Sequence, residues 1–126
     1  MAMQFNEKTK PIYLQIADRI CDDVTAGVYT PESRIPSVRE YAASMQVNFN
    51  TVMRTYEYLA SKDIIYNKRG VGYFISPDAI EQIAKEREST FFNDELVYFF
   101  RRLRSIGVSP DRLRSLYEDF INKDNR

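Results

Sequence analysis

The segment from Ser37 to Ala60 constrains this chain more than any other. Val38, Tyr41, Ala42 and Met45 recur at helical spacing, and so do Phe49, Val52, Met53, Tyr56, Leu59 and Ala60, at i, i+3, i+4, i+7, i+10 and i+11. Only Gln46, Val47 and Asn48 separate the two stripes. Each helix has its own start signal. "SVRE" fits a capping box, in which the Ser37 hydroxyl accepts from the Glu40 amide and the Glu40 carboxylate reaches back to the Ser37 amide. Asn48 is a good N-cap for the second of the pair. Two short helices joined by so tight a turn predict a helix-turn-helix.

The second helix of that pair has two finished faces. Asn50, Thr51, Arg54 and Tyr58 lie opposite the apolar stripe, where an ordinary solvated face would carry Glu, Lys and Gln. Phe49 is expected on the apolar side, bracing the turn.

The flanking sequence fits the same architecture. Residues 1–10 read as a loose polar arm. Pro11 stands at a plausible first helical position, and Ile12, Tyr13, Ile16, Ala17, Ile20 and Val24 form a stripe that ends before Gly27. Residues 28–36 contain two prolines and read as a connector. After Asp63, "IIYNKRGVGYFI" is rich in β-branched and aromatic residues around "RGVG", which predicts a two-stranded hairpin with Lys68 and Arg69 at its tip. Gly70 and Gly72 are most simply turn glycines.

From Asp78 the pattern is helical again, with Ser76 or Asp78 as cap and Pro77 near the first turn. Phe92, Leu96, Phe99, Leu103 and Ile106 are spaced 4, 3, 4 and 3. "ESTFFND" is expected to bend or interrupt this helix, and Gly107 to end it. Ser109 caps a last helix with Pro110 at its first position, Asp111 in its first turn, and a stripe of Leu113, Leu116, Tyr117 and Phe120. The fold expected is mainly α (α+β): an arm over 1–10, a winged helix-turn-helix over 11–76, and a small two-helix dimerisation region over 77–126.

Composition narrows the function classes. The 126 residues are 44% hydrophobic with mean hydropathy −0.47, and no apolar run approaches the ~20 residues of a membrane span. No signal-peptide pattern opens the chain, and the single Cys21 allows no internal disulfide, which suits a reducing cytoplasm. There is no His, which removes His-based triads and leaves only carboxylates for a metal. Neither a phosphate-binding loop nor a dinucleotide fingerprint is present. The residues point to no cofactor and away from an enzyme. Net charge is zero overall, yet residues 33–76 hold six basic and three acidic side chains, a surplus that can form a basic face.

That surplus gives the unusual face a use. A major groove about 12 Å wide admits a helix; Arg54 can fork onto guanine, Asn50 can pair with adenine, and Thr51 lies beside them. Arg34, Ser37 and Arg39 surround the start of the preceding helix, where amides and guanidinium groups can hold a phosphate. Lys68 and Arg69 can track the backbone or enter the minor groove. Simpler readings stand beside these. Asn50 and Thr51 could only satisfy helix-start amides, Arg54 could pair with Glu57 or Tyr58, Arg39 with Glu40 or Asp63, and Ser37 could only cap. A protein-docking module without specific DNA binding, using a Tyr58, Tyr66 and Tyr73 patch, is the alternative function. A carboxylate enzyme built on Asp22, Asp23 or Glu57 is weaker still, since Asp22 and Asp23 are adjacent on a helix and diverge.

"PIYLQI", "RIPSVRE", "VNFNTVMRTYEYL" and "KRGVGYFI" together resemble the winged-helix DNA-binding domain of the GntR family of bacterial transcription regulators, over Pro11–Ser76. The resemblance implies DNA contacts by Arg34, Ser37, Arg39, Asn50, Thr51 and Arg54, and by Arg69 and Gly70 in the wing. Three positions depart from the family pattern. Glu32 and Gln46 stand where Gly is usual, and Phe49 stands where many members have Arg or, in one subgroup, Pro. The short ending, with "LRSIGVSPDRLRSLYEDF", is similar to the YtrA-type subgroup. This implies a tail that dimerises through Phe91, Phe92, Leu96, Phe99, Phe100 and Leu103, the alternative being that these fold back on the wing domain. A two-fold dimer would present two helices to a palindromic operator and repress by blocking polymerase. A small-molecule effector would have to sit between tails or at the tail-to-wing junction; no residue in the sequence identifies one.

Overall fold

The computed structural model describes residues 10–125. In chain order these form α1 (Ile12–Thr25), α2 (Val38–Met45), α3 (Phe49–Ser61), β1 (Ile65–Lys68), β2 (Gly72–Ile75), α4 (Ala79–Thr90), a π-helical turn (Phe91–Glu95), α5 (Leu96–Ile106) and α6 (Pro110–Asp124). The described residues divide into two compact units, one ending at Glu86 and the other beginning at Arg87.

In the first unit the local signals act as the sequence predicts. The Ser37 hydroxyl accepts from the Glu40 amide at 3.1 Å, and the Ser37 amide donates to the Glu40 carboxylate at 2.9 Å, so the capping box is complete. Asn48 caps α3 by accepting from the Asn50 amide at 2.8 Å. Pro11 sits one position earlier than expected, as the N-cap of α1, and Gly27 follows the C-cap with φ of 81°. The two positions where the family pattern has Gly, Glu32 and Gln46, both adopt left-handed backbone, at φ 65° and 56°. The chain holds side chains where that conformation costs about 1–2 kcal/mol.

The apolar faces of α1, α2 and α3 converge on one core. Ile16, Ile20, Val52, Tyr56, Leu59 and the wing residue Ile75 are essentially inaccessible. Thr55 is equally buried, although the apolar pattern omitted it; its hydroxyl donates to the Tyr13 carbonyl at 2.8 Å and reaches the Thr51 carbonyl at 3.1 Å. Phe49 departs from expectation in the other direction, lying 40% exposed at the head of α3 instead of in the core.

β1 and β2 pair antiparallel from Ile65 opposite Ile75 to Lys68 opposite Gly72, closing over Arg69, Gly70 and Val71. The segment read as a connector also joins the wing. The Glu32 amide donates to the Ile75 carbonyl at 2.8 Å, the Ile75 amide to Ser33 at 2.9 Å, and the Ile35 amide to Tyr73 at 3.0 Å. Its prolines hid this pairing, because a short edge segment shows no alternation. Ala79 and Ile83 of α4 are buried with the same core, so the first unit extends past Ser76, where the sequence pattern changes.

The second unit has few resources of its own. Gly107 ends α5 in left-handed backbone at φ 82°, and the Ser109 hydroxyl accepts from the Arg112 amide at 3.1 Å to start α6, with Pro110 in the first turn. The expected interruption at "ESTFFND" takes the form of the π-helical turn. Neither that turn nor α5 nor α6 contains a buried residue.

Candidate nucleic-acid interface

The exposed face of α3 begins where its cap ends. Asn48 satisfies one of the free amides at the start of α3, that of Asn50. Asn50, Thr51 and Arg54 line one side of an open cleft of about 360 Å³, and Pro11, Ile12 and Tyr13 of the α1 start line the other. The three residues expected to read bases therefore share one surface. Arg54 pairs with neither Glu57 nor Tyr58. Its guanidinium carbon lies 4.0 Å from the centroid of the Tyr13 ring, close enough for a strong cation–π contact.

Tyr58 is not part of that open face. Its ring packs edge-on against Tyr13 at 6.2 Å, and its hydroxyl donates to Glu86 of α4 at 3.0 Å. Burial, and then the Glu86 carboxylate, push its phenol well above the usual range. Lys62 reaches the same carboxylate at 3.5 Å. The aromatic docking patch expected of Tyr58, Tyr66 and Tyr73 does not assemble as one surface. Tyr66 stacks on Phe74, and Tyr73 packs edge-on against Tyr56.

The other candidates occupy three places. Arg39 lies over the Phe49 ring at 5.7 Å instead of pairing with Glu40 or Asp63, so it bridges α2 and α3 across the turn. At the start of α2, the Ser37 amide is already held by Glu40, which removes it as a phosphate donor; the Ser37 hydroxyl keeps its proton to donate. The bonds from Ser37, and Arg34 nearby, hold the Glu40 carboxyl below its ordinary range. Lys68 lies over Phe74 at 5.6 Å, while Arg69 and Gly70 form the exposed tip, with Gly70 at φ 80°.

Arg34 belongs to the wing as much as to α2. It bridges to Phe74, and its guanidinium runs across Gly72, where an added Cβ would stand 2.8 Å from Nε. Gly72 also has φ of 143°. Gly72→Ala is therefore expected to strain the wing by about 1–3 kcal/mol and to push Arg34 off its path. Gly27→Ala, also at positive φ (81°) but facing open space, serves as a control for backbone strain without a clash. Thermal melts should fall for both, and DNA affinity should fall for Gly72→Ala only; equal DNA affinity in the two would show that the lie of Arg34 does not matter.

The α1 start is the part of this surface that sequence reasoning missed. Ile12 and Tyr13 fit a core stripe by their spacing, but both are only half-buried. The available signal was Pro11, which places Ile12 and Tyr13 in the exposed first turn of α1.

The sequence profile of the bacterial regulatory proteins of the gntR family matches residues 12–75, which include all of this surface but Pro11. The chain belongs to the GntR family. It is 34% identical over 107 residues to an HTH-type transcriptional regulator, YhcF, of Bacillus subtilis (strain 168), covering 85% of this chain and 87% of that one. It is 32% identical over 103 residues to the HTH-type transcriptional repressor YtrA of the same organism, covering 82% and 78%. A crystal structure of a GntR-family regulator from Bacteroides thetaiotaomicron superposes with TM-score 0.72 at 50% identity, over 90% of this chain and 99% of that one. This GntR-family member is thus a transcriptional regulator with a winged helix-turn-helix DNA-binding fold, in a family of regulators and not of enzymes. Among the described residues no helix is long and apolar enough to cross a membrane, and no group of three metal-ligating side chains forms.

Proposed function

We propose that this GntR-family chain is a homodimeric repressor that reads a palindromic operator in the major groove with α3. The observation that carries the reading is the collection of Asn50, Thr51 and Arg54 on one open cleft at the N-terminal end of α3, the end best placed to reach base edges. Arg34, Ser37 and Arg39 hold the phosphate backbone beside it, and Lys68, Arg69 and Gly70 approach it from the wing. Repression by occupation of a promoter is supported by the likeness to the YtrA repressor. Dimerisation is supported by the second unit. Phe91, Phe92, Phe99 and Phe100 are each more than two-fifths exposed, and an apolar surface of that extent on a unit with no buried residue calls for a partner.

Selection of bound sequences from a random duplex library at moderate salt, with the size of the complex resolved, tests this directly. A palindromic site carrying two chains is expected. On that site Arg54→Ala should lose about 1–3 kcal/mol and relax the preference at one base pair of each half. Lys68→Ala should weaken all duplexes alike and flatten the salt dependence. Failure to enrich any sequence, with salt-insensitive capture of a protein instead, would favour the docking module.

A further inference from the structure

We infer that Tyr13 is the positioning residue for base reading by Arg54. The inference rests on the base-reading role proposed above and adds to it a residue from a different helix. Arg54 is exposed on α3, and a free arginine side chain there would sample many rotamers. The Tyr13 face, 4.0 Å from the guanidinium carbon, restricts that freedom. Stacking uses the flat π-surface of the guanidinium, whereas a fork onto guanine O6 and N7 uses its edge. The two contacts are orthogonal, so the ring can hold the group without spending any N–H that a base requires.

Tyr13 is itself tied to α3 at two points, one through its backbone and one through its ring. The Tyr13 carbonyl accepts from the hydroxyl of Thr55, the residue after Arg54, whose side chain is buried. The Tyr13 ring meets Tyr58 edge-on, and Tyr58 is in turn tied by its hydroxyl to Glu86. Tyr13 is thus tied to α3 by its backbone and by its ring, beside Arg54. Both residues also line the same cleft as Asn50 and Thr51, which places the supported guanidinium beside the other groups that face the groove. The Tyr13 hydroxyl has no part in this arrangement, so the inference predicts that a phenyl ring serves as well.

The test is a double-mutant cycle on the selected operator, in the whole 126-residue chain, using Tyr13→Leu, Tyr13→Phe, Arg54→Ala and the Tyr13→Leu/Arg54→Ala pair. Each is measured on the operator and on operators altered at each base pair of one half-site. Melting temperatures accompany every titration. Tyr13→Leu is expected to weaken operator binding about three- to tenfold, and the loss should be confined to the base pair where Arg54→Ala also loses discrimination. Tyr13→Phe should restore both affinity and preference. In the double variant, Tyr13→Leu should add nothing to Arg54→Ala. If Arg54→Ala changes no preference, the base-reading role falls. If Arg54→Ala does change it while Tyr13→Leu leaves it intact, or lowers affinity equally for every sequence, the positioning role falls and base reading stands. Should Tyr13→Leu fail to fold, the Tyr13→Phe variant and a Tyr13→Met substitution decide. Loss of preference in Phe, or full preference in Met, would each overturn the inference.

Discussion

Phe99→Asp is expected to leave the chain monomeric and to cost about a hundredfold or more in affinity for a palindromic operator. Phe99 lies in the middle of the 4-3-4-3 apolar stripe and is 46% exposed. Seated against a second copy, its ring would contribute roughly 1.5–3 kcal/mol per chain, and a carboxylate in that place would have to be desolvated without a partner. Two covalently independent winged domains bind two half-sites with the product of weak affinities. Joined through their tails, the second binds from an effective concentration in the millimolar range, so separation removes that advantage without touching any base contact. Binding to an isolated half-site should therefore be nearly unchanged in Phe99→Asp. The melting of the winged domain should also be unchanged, because Phe99 belongs to the other compact unit. Light scattering coupled to size exclusion, with titrations of whole and half operators, measures both effects. A variant that remains dimeric would remove Phe99 from the seam, and a monomer that still binds the palindrome tightly would remove the need for the tail.

The parts of this molecule that were legible in its sequence are those set by local rules. The capping box at Ser37 and Glu40, the Asn48 cap, the Gly107 stop and the Ser109–Pro110 start need only a few neighbouring residues, and each forms as expected. What the sequence hid depends on contacts across the chain. Thr55 looks polar on paper, but it is buried because the Tyr13 carbonyl, 42 residues away in sequence, accepts its proton. Phe49 looks apolar, but it stays outside the core and supports Arg39. The strand-like pairing of Glu32, Ser33 and Ile35 with β2 carries no alternation that could announce it. The positions of Asn50, Thr51 and Arg54 could be placed on one face by helical period alone. The opposite wall of their cleft could not, since it comes from α1.

The second large effect concerns Tyr56, through which α2, α3 and the wing are joined. Its ring is wholly buried, packs edge-on against Tyr41 at 6.3 Å and against Tyr73 at 5.0 Å, and its hydroxyl donates to the Pro36 carbonyl at 2.6 Å, next to the Ser37 cap. Tyr56→Ala should cost about 3–5 kcal/mol, because the two neighbouring rings belong to separate elements, α2 and β2, and cannot both collapse into the cavity. Tyr56→Phe keeps the packing and removes only the donor, leaving the Pro36 carbonyl unmet, at about 1–3 kcal/mol. The same burial gives the fold a characteristic sensitivity to alkali. Burial pushes the Tyr41 phenol up to about 12 and moves Tyr56 in the same direction. A phenol raised above its unfolded value of about 10 favours the neutral, folded form, so this stability is fully present below pH 10 and is lost as pH rises toward 12. Urea midpoints measured across that window should fall steeply in the native protein and less steeply in Tyr56→Phe, which has one buried phenol fewer to ionise. A midpoint indifferent to pH between 10 and 12, or an alanine variant as stable as the native chain, would mean that the tyrosine cluster is not what holds the recognition helix to the wing.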